Sequence, residues 1–414
     1  MSRPPLSVLD LVPVTSGSTP GQALANTVDL ARRAEAAGYR RYWVAEHHLN
    51  PGVAGTAPAL VIGLVAASTG RIRVGSGAVL MGHHTPLAVV EQFGLLDALH
   101  PGRIDLGLGR SGFRLPPPGA PPAAPPGRNG APEQEGRPAE NRWTPEGLLI
   151  PPPFPTGHLL RSPRFRLQAR MLQQPRAEVP DYAEQVDDVL ALLTGAYLGK
   201  DGTEAHVIPG EGAAIEVWVL GSSGGASAEV AGARGLPFAA NYHVAPSGVL
   251  DAVAGYRSAF RPSAHLARPR VAVSADVVVA PTEDEAQELA TGYALWVRSI
   301  RTAEGAIPFP SPGEARRHRW TDADRALVQD RVDTQFRGDA AQVADRLDVL
   351  ARATGADELV VTTITHRHAD RVRSYELLAE EWARRGVATN GRPQRSAAPA
   401  GAPALRADPQ RRPA

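Results

Sequence analysis

Four polar residues that could carry acid/base chemistry stand together directly after a short apolar stretch. Glu46, His47, His48 and Asn50 follow residues 42–45, which are apolar enough to form a buried strand. A carboxylate and an imidazole at a strand end are suited to move protons near neutral pH or to hold a polar ligand. We therefore name His47 and Glu46 as candidate catalytic residues. The alternative is a surface loop that contains two histidines.

A glycine- and serine-rich stretch at residues 221–227 lies between a predicted strand and a predicted helix. Free backbone N–H groups at a helix start attract anions, and glycines let the chain approach a phosphate closely. Arg110, at the end of another predicted strand, could pair with the same phosphate. The spacing matches neither a nucleoside-triphosphate loop nor a dinucleotide fingerprint, and an ordinary flexible loop is the alternative. The candidate phosphate contacts here are Gly221, Ser222, Ser223 and Ser227.

Glycines interrupt a third apolar stretch at residues 75–78. Glycine weakens a strand and often marks the close approach of a ligand or of another backbone. We name Ser76, Gly77 and Ala78 as candidate contacts of a planar ring, with a tight sheet interior as the alternative. The remaining histidine pairs lack the spacing of zinc ligands, so we expect no metal site. These pairs are His83 with His84 and His366 with His368.

Alternating strand and helix patterns explain how these residues could meet. Apolar stretches that each precede a helical pattern predict a parallel sheet covered by helices. A count of eight favours an α/β fold of the (β/α)₈ TIM-barrel type, with a doubly wound sheet as the rival. In such barrels the carboxyl ends of the strands form the site, and His243 also stands at one of them. The predicted strands are 6–14, 42–45, 72–79, 104–108, 216–220, 236–241, 271–280 and 358–363.

One segment departs from this pattern. Residues 115–155 contain 14 prolines and few apolar anchors, so we predict a disordered low-complexity insertion after strand four. Residues 154–175 carry more apolar side chains and are expected to pack over the barrel mouth. The barrel domain is predicted to span residues 1–386, and the Pro-, Ala- and Arg-rich residues 387–414 are predicted to form a disordered tail.

Composition excludes several classes of function. The chain has 414 residues, a net charge of +1 and no cysteine. The near-zero charge gives no basis for binding nucleic acid or an anionic membrane. Without cysteine there is no disulfide, thiolate metal site or cysteine nucleophile. No apolar run approaches the ~20 residues of a membrane span, and the N-terminus lacks a signal-peptide pattern, so we expect a cytoplasmic protein.

Several of these segments occur in the order that is typical of one enzyme family. Residues 38–48, 71–80, 102–110, 218–223 and 357–363 resemble segments of the bacterial luciferase-like flavin-dependent monooxygenases. The resemblance implies a (β/α)₈ barrel that receives reduced FMN (FMNH₂) from a separate flavin reductase and uses oxygen to oxygenate a small organic substrate. Alternatives are a deazaflavin cofactor with hydride transfer and a flavin-binding barrel without turnover. A homodimer is a candidate assembly.

The resemblance also assigns roles to particular residues. His47 matches the family's catalytic histidine, and Arg110 with residues 221–227 matches its phosphate contacts. Residues 76–78 match the segment against the isoalloxazine ring, where a bulge or a non-proline cis peptide is typical. Gly109 stands where the luciferase subunit has a cysteine, so light emission is not implied.

Overall fold

The computed structural model describes residues 3–110, 140–173 and 180–386. In this part of the chain, eight parallel strands pair each with the next, and the last pairs with the first to close a barrel. The prediction of a (β/α)₈ barrel is confirmed. The strands are β1 (Leu6–Asp10), β2 (Arg41–Val44), β3 (Arg73–Ser76), β4 (Ile104–Gly109), β5 (Glu216–Gly221), β6 (Phe238–Asn241), β7 (Val271–Val279) and β8 (Glu358–Thr362).

Helices follow the strands and cover the outside of the barrel. Capping explains their starts: the Thr19 side chain accepts from the Gln22 N–H, and Pro20 occupies the first helical position of α1 (Pro20–Ala36). Asp339 and Gln342 form a capping box at α7. The covering helices are α1 (Pro20–Ala36), α2 (Pro58–Ser68), α3 (Pro86–Leu99), α4 (Tyr182–Thr194), α5 (Ala226–Ala233), α6 (Val249–Ala259), α7 (Ala340–Thr354) and α8 (His368–Arg384).

Charged side chains close the amino-terminal end of the barrel. The buried Arg41 guanidinium donates to three carboxylates, those of Asp105 (2.7 Å), Glu216 (3.1 Å) and Glu358 (2.9 Å). Burial alone would lower the pKa of Arg41, but these carboxylates hold it well above its ordinary value. Trp43 and Trp218 pack edge to face above this network, with ring centroids 5.2 Å apart. The interior is therefore filled at this end.

The third strand differs from its prediction. Strand β3 ends at Ser76, the peptide bond between Gly77 and Ala78 is cis, and Val79–Leu80 then pairs with β4. A Cβ on Gly75 would collide with the backbone of Asp105 on β4. One on Gly77 would lie 2.9 Å from the Leu9 side chain. These glycines are needed for close packing inside the barrel.

Part of the predicted disordered insertion is ordered. Arg142–Trp143 pairs antiparallel with Leu149–Ile150, and Leu148, Leu149 and Ile150 are buried. The Tyr242 hydroxyl donates to the Leu149 carbonyl at 2.8 Å. The prediction is wrong for residues 140–155, because this apolar triplet anchors them on the barrel. Residues 115–139 and the predicted tail at 387–414 lie outside the described residues.

The segment between β7 and β8 is more helical than the sequence predicted. Its first two helices are separated near Gly292, where a Cβ would lie 2.6 Å from the Pro310 carbonyl oxygen. The link after them contains two helices that the sequence analysis did not identify. The four helices of this segment are Glu283–Leu289, Tyr293–Arg301, Pro312–Arg317 and Asp322–Thr334.

Short elements complete the described part of the chain, and none of its helices is long and apolar enough to cross a membrane. Two helices after strand β4 lie over the barrel mouth, as expected for residues 154–175; we call residues 157–173 the lid segment. The short elements are helices Gly157–Leu160 and Pro163–Leu172, turns Met81–His83 and Pro246–Gly248, strand Phe336–Gly338 beside β7, and the hairpin Tyr197–Leu198 with Glu204–Ala205.

Candidate active site

A cavity of about 490 Å³ opens at the carboxyl ends of the barrel strands. This volume falls in the range of small-molecule sites. Every predicted site residue except Ser76 lines it, although the strands that supply them are far apart in sequence. The predicted residues that line the cavity are Glu46, His47, Gly77, Ala78, Arg110, Gly221, Ser222, Ser223 and Ser227.

His47 lies directly after β2 with its imidazole against the cavity. Its backbone N–H donates to the Gly55 carbonyl at 2.8 Å. Burial lowers the pKa of its imidazole from 6.5 to about 4, with Glu46 opposing the shift. Its buried Nδ1 has no hydrogen-bond partner among the described residues. A neutral imidazole of this kind can accept a proton from a bound group at physiological pH.

Glu46 lines the cavity, but its hydrogen bonds favour a positioning role over the catalytic role that the sequence suggested. One carboxylate oxygen accepts from His48 Nε2 (2.7 Å) and His84 Nε2 (3.0 Å), and the other accepts from the Leu80 N–H (2.9 Å). Burial alone would raise its pKa, but these hydrogen bonds lower it from 4.5 to about 2. Glu46 therefore stays ionised, and both of its carboxylate oxygens accept hydrogen bonds. It joins the β2 loop to the segment after β3, so it is a positioning residue.

Ser76 also has a structural role. Its hydroxyl donates to the Gly107 carbonyl at 3.0 Å and accepts from the Gly107 N–H at 2.9 Å, so it ties β3 to β4. Sequence reasoning missed this because Ser76 adjoins the residues that do face the cavity, Gly77 and Ala78. The cis peptide between those two is the feature that the family resemblance implies at this position.

The loop between β5 and α5 is fixed by close backbone packing. A Cβ on Gly224 would lie 2.6 Å from the Asp251 carbonyl oxygen, and one on Gly248 would lie 2.5 Å from that of Ser222. Helix α5 begins at Ala226 after Gly225, and no side chain caps this end among the described residues. The first N–H groups of α5 and the nearby serine hydroxyls are therefore open to an anion.

Arg110 stands at the end of β4 on the rim of the same cavity. No carboxylate among residues 3–110, 140–173 and 180–386 pairs with its guanidinium. An unpaired cation beside serine hydroxyls and a helix start is the donor set that a phosphate group needs. The residues present thus fit the phosphate end of a flavin nucleotide. Small and apolar cavity residues fit its planar ring; they are Ala78, Leu9, Val53 and Ile364.

A second histidine, His243, follows β6 and lines the cavity. Its Nδ1 lies 2.5 Å from the Ser274 hydroxyl, which itself donates to the Ala240 carbonyl at 3.3 Å. We therefore assign the proton of this pair to Nδ1, which leaves the Nε2 lone pair free. Burial lowers its pKa to about 4. The sequence placed His243 at a strand end but gave no reason to choose it.

A buried ion pair at the cavity wall was not evident from the sequence. Asp276 of β7 accepts from the Tyr293 hydroxyl and from Arg331 at 3.0 Å, and Arg331 also donates to the Tyr293 oxygen at 2.8 Å. Burial alone would lower the pKa of Arg331, but Tyr293 and Asp276 raise it above its ordinary value. Arg331 could not be found because it belongs to a helix that the sequence analysis did not identify. The pair contributes no net charge to the cavity.

Three further histidines serve structural contacts. His366 Nε2 lies 3.1 Å from the Ser16 carbonyl oxygen, and His368 Nε2 lies 2.8 Å from the Asp29 carboxylate. His84 bonds to Glu46, as described above. In the described part of the chain, no group of three or more His, Asp or Glu side chains is arranged to hold a metal ion.

Comparison with known proteins identifies the family. The family model for luciferase-like monooxygenases matches residues 5–128 and 162–358. The chain belongs to the luciferase-like monooxygenase family. It is 34% identical over 373 residues to a luciferase-like monooxygenase of Escherichia coli (strain K12), covering 90% of this chain and 95% of that protein. The solved structure of apo-MsnO8 is 31% identical, with a TM-score of 0.71 over 92% of this chain and 99% of that one.

A shorter match is closer in sequence. Over 112 residues, this luciferase-like protein is 51% identical to the N-acetyl-S-alkylcysteine monooxygenase of Bacillus subtilis (strain 168), covering 27% of this chain and 34% of that protein. Family membership and monooxygenase relatives support an oxidoreductase.

Two solved structures of lower identity share the fold and differ in cofactor. The oxygenating constituent of 3,6-diketocamphane monooxygenase from Pseudomonas putida, in complex with FMN, has a TM-score of 0.60 and 19% identity over 93% of this chain and 100% of that one. An F420-dependent secondary alcohol dehydrogenase has a TM-score of 0.55 and 14% identity over 92% of this chain and 99% of that one. At these identities the likeness concerns the fold alone.

Proposed function

We propose that this protein is a flavin-dependent monooxygenase that uses FMNH₂ and oxygen to oxygenate a small organic substrate. One observation carries the proposal: a single cavity combines a phosphate-binding end, a small apolar wall and a neutral histidine. FMNH₂, when bound, would supply the electrons that activate oxygen. A separate reductase would provide it, as the family resemblance implies.

The roles of the chain's own residues follow from their positions. Arg110, the start of α5, and the hydroxyls of Ser222 and Ser223 would hold the FMN phosphate. Gly77 and Ala78 would lie against the flavin ring, where no larger side chain occupies the space. His47, neutral with a pKa of about 4, would accept a proton from the reacting groups and return it.

Cofactor binding and oxygen incorporation test the proposal. We would titrate the purified protein anaerobically with FMN, FMNH₂ and F420, then supply FMNH₂ through a reductase under ¹⁸O₂ with N-acetyl-S-methylcysteine as the first test substrate. This compound is chosen because the B. subtilis relative is named for such thioethers. We expect FMNH₂ binding and one ¹⁸O atom in the product. F420 binding without FMNH₂ binding would instead favour hydride transfer, and a flavin complex that consumes no oxygen would favour a non-catalytic barrel.

We also propose that the protein is a homodimer. Five leucines on α2 and α3 are exposed, at Leu60 (74%), Leu64 (51%), Leu87 (47%), Leu95 (58%) and Leu99 (77%). Two helices that are apolar on their outer as well as inner faces are typical of elements with a partner. We call these leucines the α2–α3 face. A C₂ dimer would bury the same face of both copies.

A further inference from the structure

The lid segment, residues 157–173, has an unbalanced charge. It contains four arginines and no acidic residue, in a chain whose net charge is only +1. Among the described residues, none of these arginines forms an ion pair with a carboxylate. Positive charge at the rim of a cleft raises the local concentration of anions and speeds their entry. The arginines are Arg161, Arg164, Arg166 and Arg170.

Arg164 is the one of these arginines that lines the cavity. Its Nη2 donates to the Leu49 carbonyl and, at 2.9 Å, to Asn50 Oδ1. The same Asn50 oxygen accepts from the Ala306 N–H at 2.9 Å. The guanidinium lies where a Cβ of Gly305 would stand, so only glycine leaves room for it there. Two chain segments, residues 49–50 and 305–306, thus fix the position of this side chain.

These contacts leave part of the Arg164 guanidinium without a hydrogen-bond partner among the described residues. Its two acceptors are uncharged, and its Nε and Nη1 make no hydrogen bond within the described residues. Burial lowers the pKa of Arg164 from its ordinary value, since its charge is partly removed from water. A partly desolvated cation with no counter-ion is costly unless an anion joins it.

From this geometry we propose that Arg164 binds a carboxylate of the substrate, so that the substrates are small organic acids. The inference deepens the proposed function and rests on it for the reaction. The phosphate contacts are assigned to Arg110 and α5, whereas Arg164 is held by Asn50, three residues from His47. A carboxylate paired with the free edge of Arg164 would anchor the substrate on the His47 side of the cavity.

Matched pairs of acids and esters test this proposal without needing turnover. We would measure by calorimetry the dissociation constants of N-acetyl-S-methylcysteine, N-acetylmethionine and N-acetylphenylalanine and of their methyl esters, on the full-length protein with and without FMN. We expect at least one acid to bind about 10- to 100-fold more tightly than its ester, as a charge-assisted contact implies. Arg164→Gln should remove that preference, and Arg164→Lys should restore part of it.

Arg166→Gln is the matched control, because Arg166 is exposed on the same helix and does not line the cavity. It should leave the preference for the acid within about twofold of wild type. The proposal is overturned if no acid binds better than its ester, if Arg166→Gln has the same effect as Arg164→Gln, or if Arg164→Gln weakens acid and ester equally. The last result would mean that Arg164 only holds the lid segment in place and does not bind the carboxylate. Failure of FMN to bind, with the acid preference intact, would reject the proposed reaction but not this site.

Discussion

Replacing Glu46 by glutamine should destabilise the protein while His47 stays neutral at physiological pH, because loss of the Glu46 charge lowers the pKa of His47 further. The Glu46 side chain is fully buried and accepts hydrogen bonds from His48, His84 and Leu80. Glutamine has the same shape but only one acceptor oxygen. Its amide N–H would point at a histidine nitrogen or at the Leu80 N–H, and the negative charge would be lost.

The magnitude follows from the pKa of the carboxyl. Its fall from 4.5 to about 2 corresponds to roughly 3 kcal/mol, at about 1.4 kcal/mol for each pH unit. Because the folded-state pKa is the lower one, this stability is fully present above about pH 4.5 and is lost as the pH falls toward 2. We therefore expect Glu46→Gln to lower the free energy of unfolding by about 2 to 3 kcal/mol at pH 7, with a smaller difference below pH 4.5.

Chemical denaturation followed by tryptophan fluorescence at several pH values measures this difference. Glu91→Gln is the control, since Glu91 is exposed on α3 and should change stability by less than about 0.5 kcal/mol. The shape of the pH–rate profile between about pH 5 and 8 should be the same in wild type and Glu46→Gln, because His47 is neutral throughout this range in both. A variant as stable as wild type at pH 7 would refute the positioning role, and loss of one limb of the pH profile would return Glu46 to the chemistry.

Three further predictions concern cofactor, catalysis and assembly. His47→Ala should lower kcat by about 100-fold or more while FMN affinity stays within about threefold in an equilibrium titration; unchanged turnover would remove His47 from the mechanism. Its contribution should not titrate between about pH 5 and 8, because its pKa is about 4. Replacing Ser222 and Ser223 by tryptophan should weaken FMN binding at least about tenfold, and unaltered affinity would move the phosphate site elsewhere. Leu64→Glu should give a monomer in light scattering and Leu198→Glu, on the hairpin outside the α2–α3 face, should not; a monomeric wild type would contradict the dimer.

The barrel and the location of its site could be predicted because both depend on local sequence patterns. Apolar strands and capped helices alternate in the chain, and a parallel barrel brings every strand's carboxyl end to one rim. Residues 221–227 were found by their glycines and serines. His47 was found because an imidazole follows an apolar strand directly.

Roles that depend on distant partners could not be predicted. In the sequence Glu46 resembles a catalytic acid. In the fold it accepts a hydrogen bond from His84, which is 38 residues away. The environment of Asp276 depends on Arg331, 55 residues further along the chain. Ser76 ends β3 and bonds to Gly107, 31 residues away, whereas its neighbour Gly77 lies beyond the strand and lines the cavity. No short sequence pattern predicts such pairings, because they form only when the closed barrel brings distant residues together.

The ion pairs at the amino-terminal end affect how this protein can change in the course of evolution. Loss of Arg41 would leave Asp105, Glu216 and Glu358 crowded with too few cations, a change of the kind that costs about 3 to 5 kcal/mol. Lid residues at the opposite end, such as Leu159 and Gln168, line the cavity and are not part of this network. Libraries for altered substrate range should therefore vary the lid segment and leave the amino-terminal end of the barrel unchanged. Substitutions in the lid segment can change specificity without destabilising the barrel.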